Sequence, residues 1–166
     1  MRQHLTRERV WIARPVLTDI FARAKDKAPL ETGGMLLGYE GVDPCELVVT
    51  QTIEAGPNAV EQKEAFAPNG PWQREELAAV YASSGRITTY LGDWHSHPAG
   101  TALPSPKDLR TAKRVARSRA ARASRPLTII LMCDDEKGWL AAAYRYSRWR
   151  LRPVKLEPFK EESTPI

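Results

Sequence analysis

The sequence predicts an α/β protein, a mixed sheet with helices on its faces. Two observations predict it. β-Branched or alternating runs that read as strands recur along the whole chain, with three segments of helical spacing set among them. The 166 residues show no internal repeat and suffice for one core of ordinary size.

Val10-Trp11-Ile12-Ala13 reads as a short strand ended by Arg14-Pro15. Pro15 can open a helix at its first position, and Val16, Leu17, Ile20, Phe21 and Ala24 follow at helical spacing until Pro29 stops it. Glu31 then falls in a loop directly before a Met35-Leu36-Leu37 strand, where Gly33 and Gly34 permit a tight turn or close approach to another chain segment. Leu47 to Ile53 is a β-branched, alternating strand. Ala55 to Gly70 reads as an irregular loop with a short strand near Phe66, and Trp72 to Ser83 as a helix between Pro71 and Gly85.

Ile87 to Trp94 is expected to be a strand that delivers His95 and His97 at its end. A loop follows, then a long helix from Pro106 to about Arg122. Leu127 to Cys133 and Trp139 to Tyr146 make two further strands around an Asp134-to-Gly138 turn, and Trp149 to Leu156 an edge strand. One domain over residues 1–158 and a polar, disordered tail over 159–166 are expected.

The hydrophobic fraction of 42% and charged fraction of 27% are those of a soluble globular protein. No stretch reaches membrane-spanning length, and the basic start Met1-Arg2-Gln3 leads into no apolar run, so a cytoplasmic protein without membrane contact is expected. Cys45 and Cys133 lie far apart and show no Cys-x-x-Cys spacing, which gives no support to a thiolate zinc site; Cys133 reads as a core residue. The net charge of +5 favours acidic surfaces without identifying one.

The chemistry is concentrated in His95-Ser96-His97-Pro98 and the following Ser105 and Asp108. On an extended backbone residues two apart share a face, with α-carbons roughly 6–7 Å apart, so both imidazoles can converge on one ion. Asp108 offers an anionic third ligand, and three protein ligands with one open position are the arrangement of a catalytic zinc. Pro104-Ser105-Pro106-Lys107-Asp108 is equally a helix start, with Ser at the N-cap and Asp at N3, and the two readings are compatible. His4, alone near a charged terminus, reads as solvent-exposed. The spacings of metallo-β-lactamases, zinc deaminases and helical His-Glu-x-x-His enzymes are all absent.

Read with Glu31, this string resembles the JAMM signature of the JAB/MPN metalloprotease family: an upstream Glu, His-x-His, seven residues, Ser, two residues, Asp. Glu31-Thr32-Gly33-Gly34 followed by Met35-Leu36-Leu37-Gly38 also resembles the family's start, and the likeness covers about Val10 to Arg150. The resemblance implies the JAB/MPN fold, similar in layout to cytidine deaminases: a mixed sheet flanked by helices. It implies one zinc per protomer on His95, His97 and Asp108, Glu31 as general acid/base, and Ser105 as the hydroxyl that steadies the developing oxyanion. The implied reaction is hydrolysis of the amide after the C-terminal tail of a ubiquitin-like protein or its conjugate. Small prokaryotic members are similar to the partners of E1- and E2-like proteins, including those of antiviral defence systems.

Two alternatives stay open within this resemblance. One is a peptidase that processes sulfur-carrier proteins; the other is a RadC-like protein associated with nucleic acid. The basic helix after Asp108 carries Lys107, Arg110, Lys113, Arg114, Arg117, Arg119, Arg122 and Arg125 opposite an apolar stripe that includes Leu109, Ala112 and Val115. It reads as a solvated face or as a dock for an acidic partner, and a nucleic-acid role is disfavoured because no aromatic residues interleave these cations.

Overall fold

In the computed structural model, residues 8–160 are described. The elements are, in order, β1 (Arg9–Ala13), α1 (Arg14–Lys27), β2 (Gly33–Glu40), β3 (Glu46–Glu54), β4 (Val60–Gln62), β5 (Ala65–Ala67), α2 (Gly70–Ser83), β6 (Thr89–His97), α3 (Pro106–Arg117), β7 (Leu127–Asp134), β8 (Gly138–Ser147) and β9 (Arg150–Phe159). Seven strands hydrogen-bond in the order β1-β3-β2-β6-β7-β8-β9 and close on themselves, while β4 and β5 form a separate hairpin. The ladder is mixed: β6 pairs with β7 in parallel, and β1 runs parallel to both β3 and β9. This bears out the α/β reading and the mixed sheet.

The last strand departs from the expectation. β9 is not an edge, because Arg9 to Ala13 pairs along Lys155 to Phe159 and closes the sheet. Phe159, assigned by sequence to the tail, is therefore the partner of Ala13. His4 and residues 161–166 lie outside the described residues.

Closure is driven by burial. Strand positions such as Val10, Ile12, Leu47, Val49, Ile129 and Leu131 are fully or almost fully buried and pack against Val16, Ile20 and Ala24 of α1. Each fully buried aliphatic side chain of this kind stabilises the fold by about 1.5–3 kcal/mol. Gly33 and Gly34 serve the close-approach role: a Cβ on Gly33 would lie 2.3 Å from the Trp94 carbonyl oxygen, and one on Gly34 2.2 Å from that of Ile53. β2 is thereby clamped between β3 and β6.

α3 is shorter than the expected helix, ending at Arg117 instead of about Arg122. Ser118 terminates it. The Ser118 N–H bonds back to the Val115 carbonyl, its hydroxyl accepts from the Ala121 N–H, and Arg122 takes a positive φ of 51°. A serine that offers its own oxygen to nearby amides competes with helix continuation. Cys133 also differs from expectation, since it is half-buried near the end of β7 and not a core residue.

Candidate metal centre and groove

β6 carries Asp93, His95 and His97 on one face and Trp94 and Ser96 on the other, as strand alternation requires. His95 pairs with Gly33 on one side and Ile130 on the other, so the histidine backbones are fixed by two neighbouring strands. Asp108 arrives from the first turn of α3. Ser105 caps that helix, with its Oγ accepting the Asp108 N–H at 3.2 Å and Asp108 Oδ2 accepting the Ser105 N–H at 2.6 Å. The cap thus holds the carboxylate in place.

The three predicted ligands meet. His95 Nε2 and His97 Nε2 are 3.0 Å apart, Asp108 Oδ1 is 3.1 Å from His95 Nε2, and Asp108 Oδ2 is 3.8 Å from His97 Nε2. Among the described residues this is the group of His, Cys, Asp and Glu side chains whose ligand atoms could share one ion. His97 Nδ1 lies 2.8 Å from the Thr101 carbonyl oxygen. A carbonyl only accepts, so Nδ1 carries the proton and Nε2 presents a lone pair. Two imidazole nitrogens and a carboxylate converging in this way can share one cation. Tetrahedral ligands at about 2.0–2.1 Å from a metal stand about 3.3 Å from one another, close to the observed separations. The donor set fits a divalent ion.

Burial acts to raise the Asp108 pKa. The hydrogen bond and charge of His95, with the Ser105 N–H, outweigh it and hold this carboxyl well below the usual carboxylate range. Glu31 lies in the opposite state. Burial pushes its pKa up against the pull of His97, His95 and Lys107. It lines the same groove as the three ligands and Ser105. The Ser105 cap uses a lone pair of Oγ and leaves the O–H available to donate, so capping and a catalytic role do not compete.

Sequence reasoning missed the side chains that hold Glu31. Ser96, fully buried between the two histidines, accepts the Thr32 N–H at 3.0 Å through its Oγ and donates its own N–H to the Thr32 carbonyl at 2.8 Å. The Glu31 N–H donates to Gln62 of β4 at 2.8 Å. Thr32 Oγ1 donates to Glu61 at 2.7 Å, and Lys27 holds the other Glu61 oxygen at 2.7 Å. The available signal was alternation: a serine between two outward histidines must face inward and find a partner. Tyr144 fixes the following loop by donating to the Ala102 carbonyl at 2.8 Å.

The His95, His97 and Asp108 group opens on a groove of about 1140 Å³ between α2 and α3. Phe66, Leu77, Trp94 and Val115 make much of its wall apolar, and Asp93 with Tyr90 lies on its floor. Tyr90 donates to Asp93 at 2.6 Å, and burial raises the Asp93 pKa to about 6.

Comparison with known proteins agrees with this architecture. The family of prokaryotic homologs of the JAB domain matches residues 13–152. A Sinorhizobium fredii protein described as a probable metalloprotease is 38% identical over 81% of this chain and 82% of its own length. An Escherichia coli protein named CD-NTase/cGAS isopeptidase is 28% identical over 49% of this chain and 51% of its own. An Enterobacter hormaechei protein of the same name is 27% identical, covering 68% and 61% respectively. A solution structure of a Desulfitobacterium hafniense protein superposes with a TM-score of 0.70 at 18% identity, over 92% of this chain and 94% of that one.

Proposed function

The chain belongs to the prokaryotic JAB-domain family, a family of metal-dependent peptidases and isopeptidases, and from that premise we propose that it is a zinc isopeptidase acting after the C-terminal tail of a ubiquitin-like protein. The observation that carries the proposal is the convergence of His95, His97 and Asp108 at the mouth of a groove that Glu31 also lines. His95, His97 and Asp108 would hold the zinc. Zinc bound there supplies Lewis-acid polarisation of the scissile carbonyl and makes water nucleophilic near neutral pH.

The protein's own groups do the rest. Glu31 takes the proton of the attacking water on its carboxylate and returns it to the leaving amine nitrogen. Ser105 donates its O–H to the carbonyl oxygen as negative charge grows there, a role worth about 10²- to 10³-fold where such donors have been removed. The groove takes an extended peptide tail, with Phe66, Leu77 and Val115 against its apolar side chains and the reacting amide at the histidine end. Relatives named CD-NTase/cGAS isopeptidase support a branched amide as substrate; conjugates of E1- and E2-like proteins in an antiviral setting are part of the proposal through the family resemblance.

Glu31→Gln tests the division of labour. It keeps size and hydrogen bonding while removing the proton acceptor, so cleavage of a ubiquitin-like tail joined to lysine should fall by about 10²-fold or more with bound zinc retained. Near-normal cleavage overturns the general-base role, and loss of zinc makes Glu31 a ligand.

A further inference from the structure

We propose that the outer face of α3 and the β8–β9 turn together form a docking surface for a protein with an acidic face, anchored by Trp149. The proposal stands whether or not the metal centre acts as argued above. Trp149 is 64% exposed, and Lys113 Nζ and Arg117 Cζ sit 5.0 and 5.4 Å from its ring centroid. The helix and the turn are thereby joined into one patch, with Arg110 on the same helix and Arg148 and Arg150 in the same turn also exposed.

The charge of this patch is uncompensated. Among the described residues none of these five cations forms an ion pair, whereas Arg23, Lys27, Arg125 and Lys155 elsewhere all do. The one acidic residue between positions 106 and 126 is Asp108, which faces the histidines, and there is none between 137 and 153. An exposed tryptophan rimmed by unpaired arginines has the composition of an interface hot spot, and the field around it attracts carboxylates.

The turn backbone points the same way. Ser147 pairs with Arg150 across a two-residue loop in which Arg148 and Trp149 have φ of 49° and 70°. Such a turn is suited by Asn and Gly, and a bulky aromatic held there is at odds with local preference. Backbone of this kind persists where the side chain it displays has a use. A single-stranded nucleic acid is less well matched, since it takes successive stacking platforms along a groove. Here there is one aromatic ring, and the groove lies on the other side of α3, where Thr111, Arg114 and Val115 line it.

The test compares two fluorescent peptides of equal negative charge, one of glutamate alone and one with phenylalanine between glutamate pairs. Binding is followed by anisotropy, with single-stranded oligothymidine as a third probe. The phenylalanine peptide should bind about tenfold more tightly than the glutamate peptide, in the range of a modest aromatic anchor. Trp149→Asn should abolish that difference without lowering Tm, because Asn tolerates positive φ, and Trp149→Phe should keep it. Reversal of Arg110, Arg117 and Arg150 to Glu should weaken both peptides by about tenfold or more at low salt. Equal affinity for the two peptides in the wild type, or unchanged binding in Trp149→Asn, overturns the proposal in favour of a solvated basic face. Oligothymidine binding tighter than either peptide and lost in Trp149→Asn overturns it in favour of nucleic acid. A lower Tm in Trp149→Asn overturns it by making the ring a packing element.

Discussion

Ser96→Ala removes one oxygen atom from the interior and should be felt at Glu31. Ser96 is fully buried and Thr32 only 4% exposed. The Thr32 N–H has Ser96 Oγ, at 3.0 Å, as its partner among the described residues. Alanine leaves that amide buried and unpaired, which costs about 1–3 kcal/mol. For a chain of this size each kcal/mol lowers Tm by about 2–4 °C, so a loss of about 2 kcal/mol predicts a Tm about 4–8 °C lower. The histidines should keep their metal affinity, because β2 and β7 fix their backbones independently of the serine hydroxyl. Turnover should fall as the Glu31 loop loosens. Calorimetry of metal-free protein, zinc titration and conjugate cleavage on the same preparation separate these effects. A Tm within about 1 °C of wild type would refute the reasoning, and a large loss of zinc affinity would show that Ser96 supports the ligands instead.

His97→Ala should abolish stoichiometric zinc binding while leaving far-ultraviolet dichroism unchanged; metal analysis after desalting checks this, and a full complement of zinc in the variant contradicts the ligand set. Glu61→Gln tests the clamp behind Thr32. Burial raises the Glu61 pKa, but Lys27 and Thr32 outweigh it and hold it below its ordinary value. A carboxylate depressed on folding stabilises above its unfolded pKa of about 4.3 and loses that contribution as pH falls through the lower folded value. Wild type should therefore exceed Glu61→Gln by at most about 1 kcal/mol near neutral pH, since Lys27 is 45% exposed, and the gap should narrow progressively as pH falls below the unfolded value. A gap of the same size at every acidic pH in denaturant titrations contradicts the ion-pair account.

Much of the site was legible because its chemistry is local in sequence. His95 and His97 share a strand face, and Asp108 sits at N3 of a helix whose start is written in Ser105-Pro106. Glu31 was legible only through the family's motif, since a lone loop glutamate carries no signal of its own. What was not legible depends on distant pairing. The parallel match of β1 to β9 closes the sheet, yet neither segment encodes a partner more than 140 positions away. The early end of α3 followed from Ser118 competing for backbone amides inside a pattern that otherwise continued the helix. The absence of interleaved aromatics along α3 was true of the sequence, but Trp149 reaches Lys113 and Arg117 from another hairpin.

Zinc dependence of isopeptide cleavage, measured on one sample through chelation and restoration, bears most directly on the central claim. Purified protein should bind one zinc per chain, cleave a ubiquitin-like tail from a lysine side chain, and lose that activity when chelated. Stoichiometric zinc should restore it. Undiminished cleavage by metal-free protein, or stoichiometric zinc binding that survives simultaneous replacement of His95 and His97, would contradict the account.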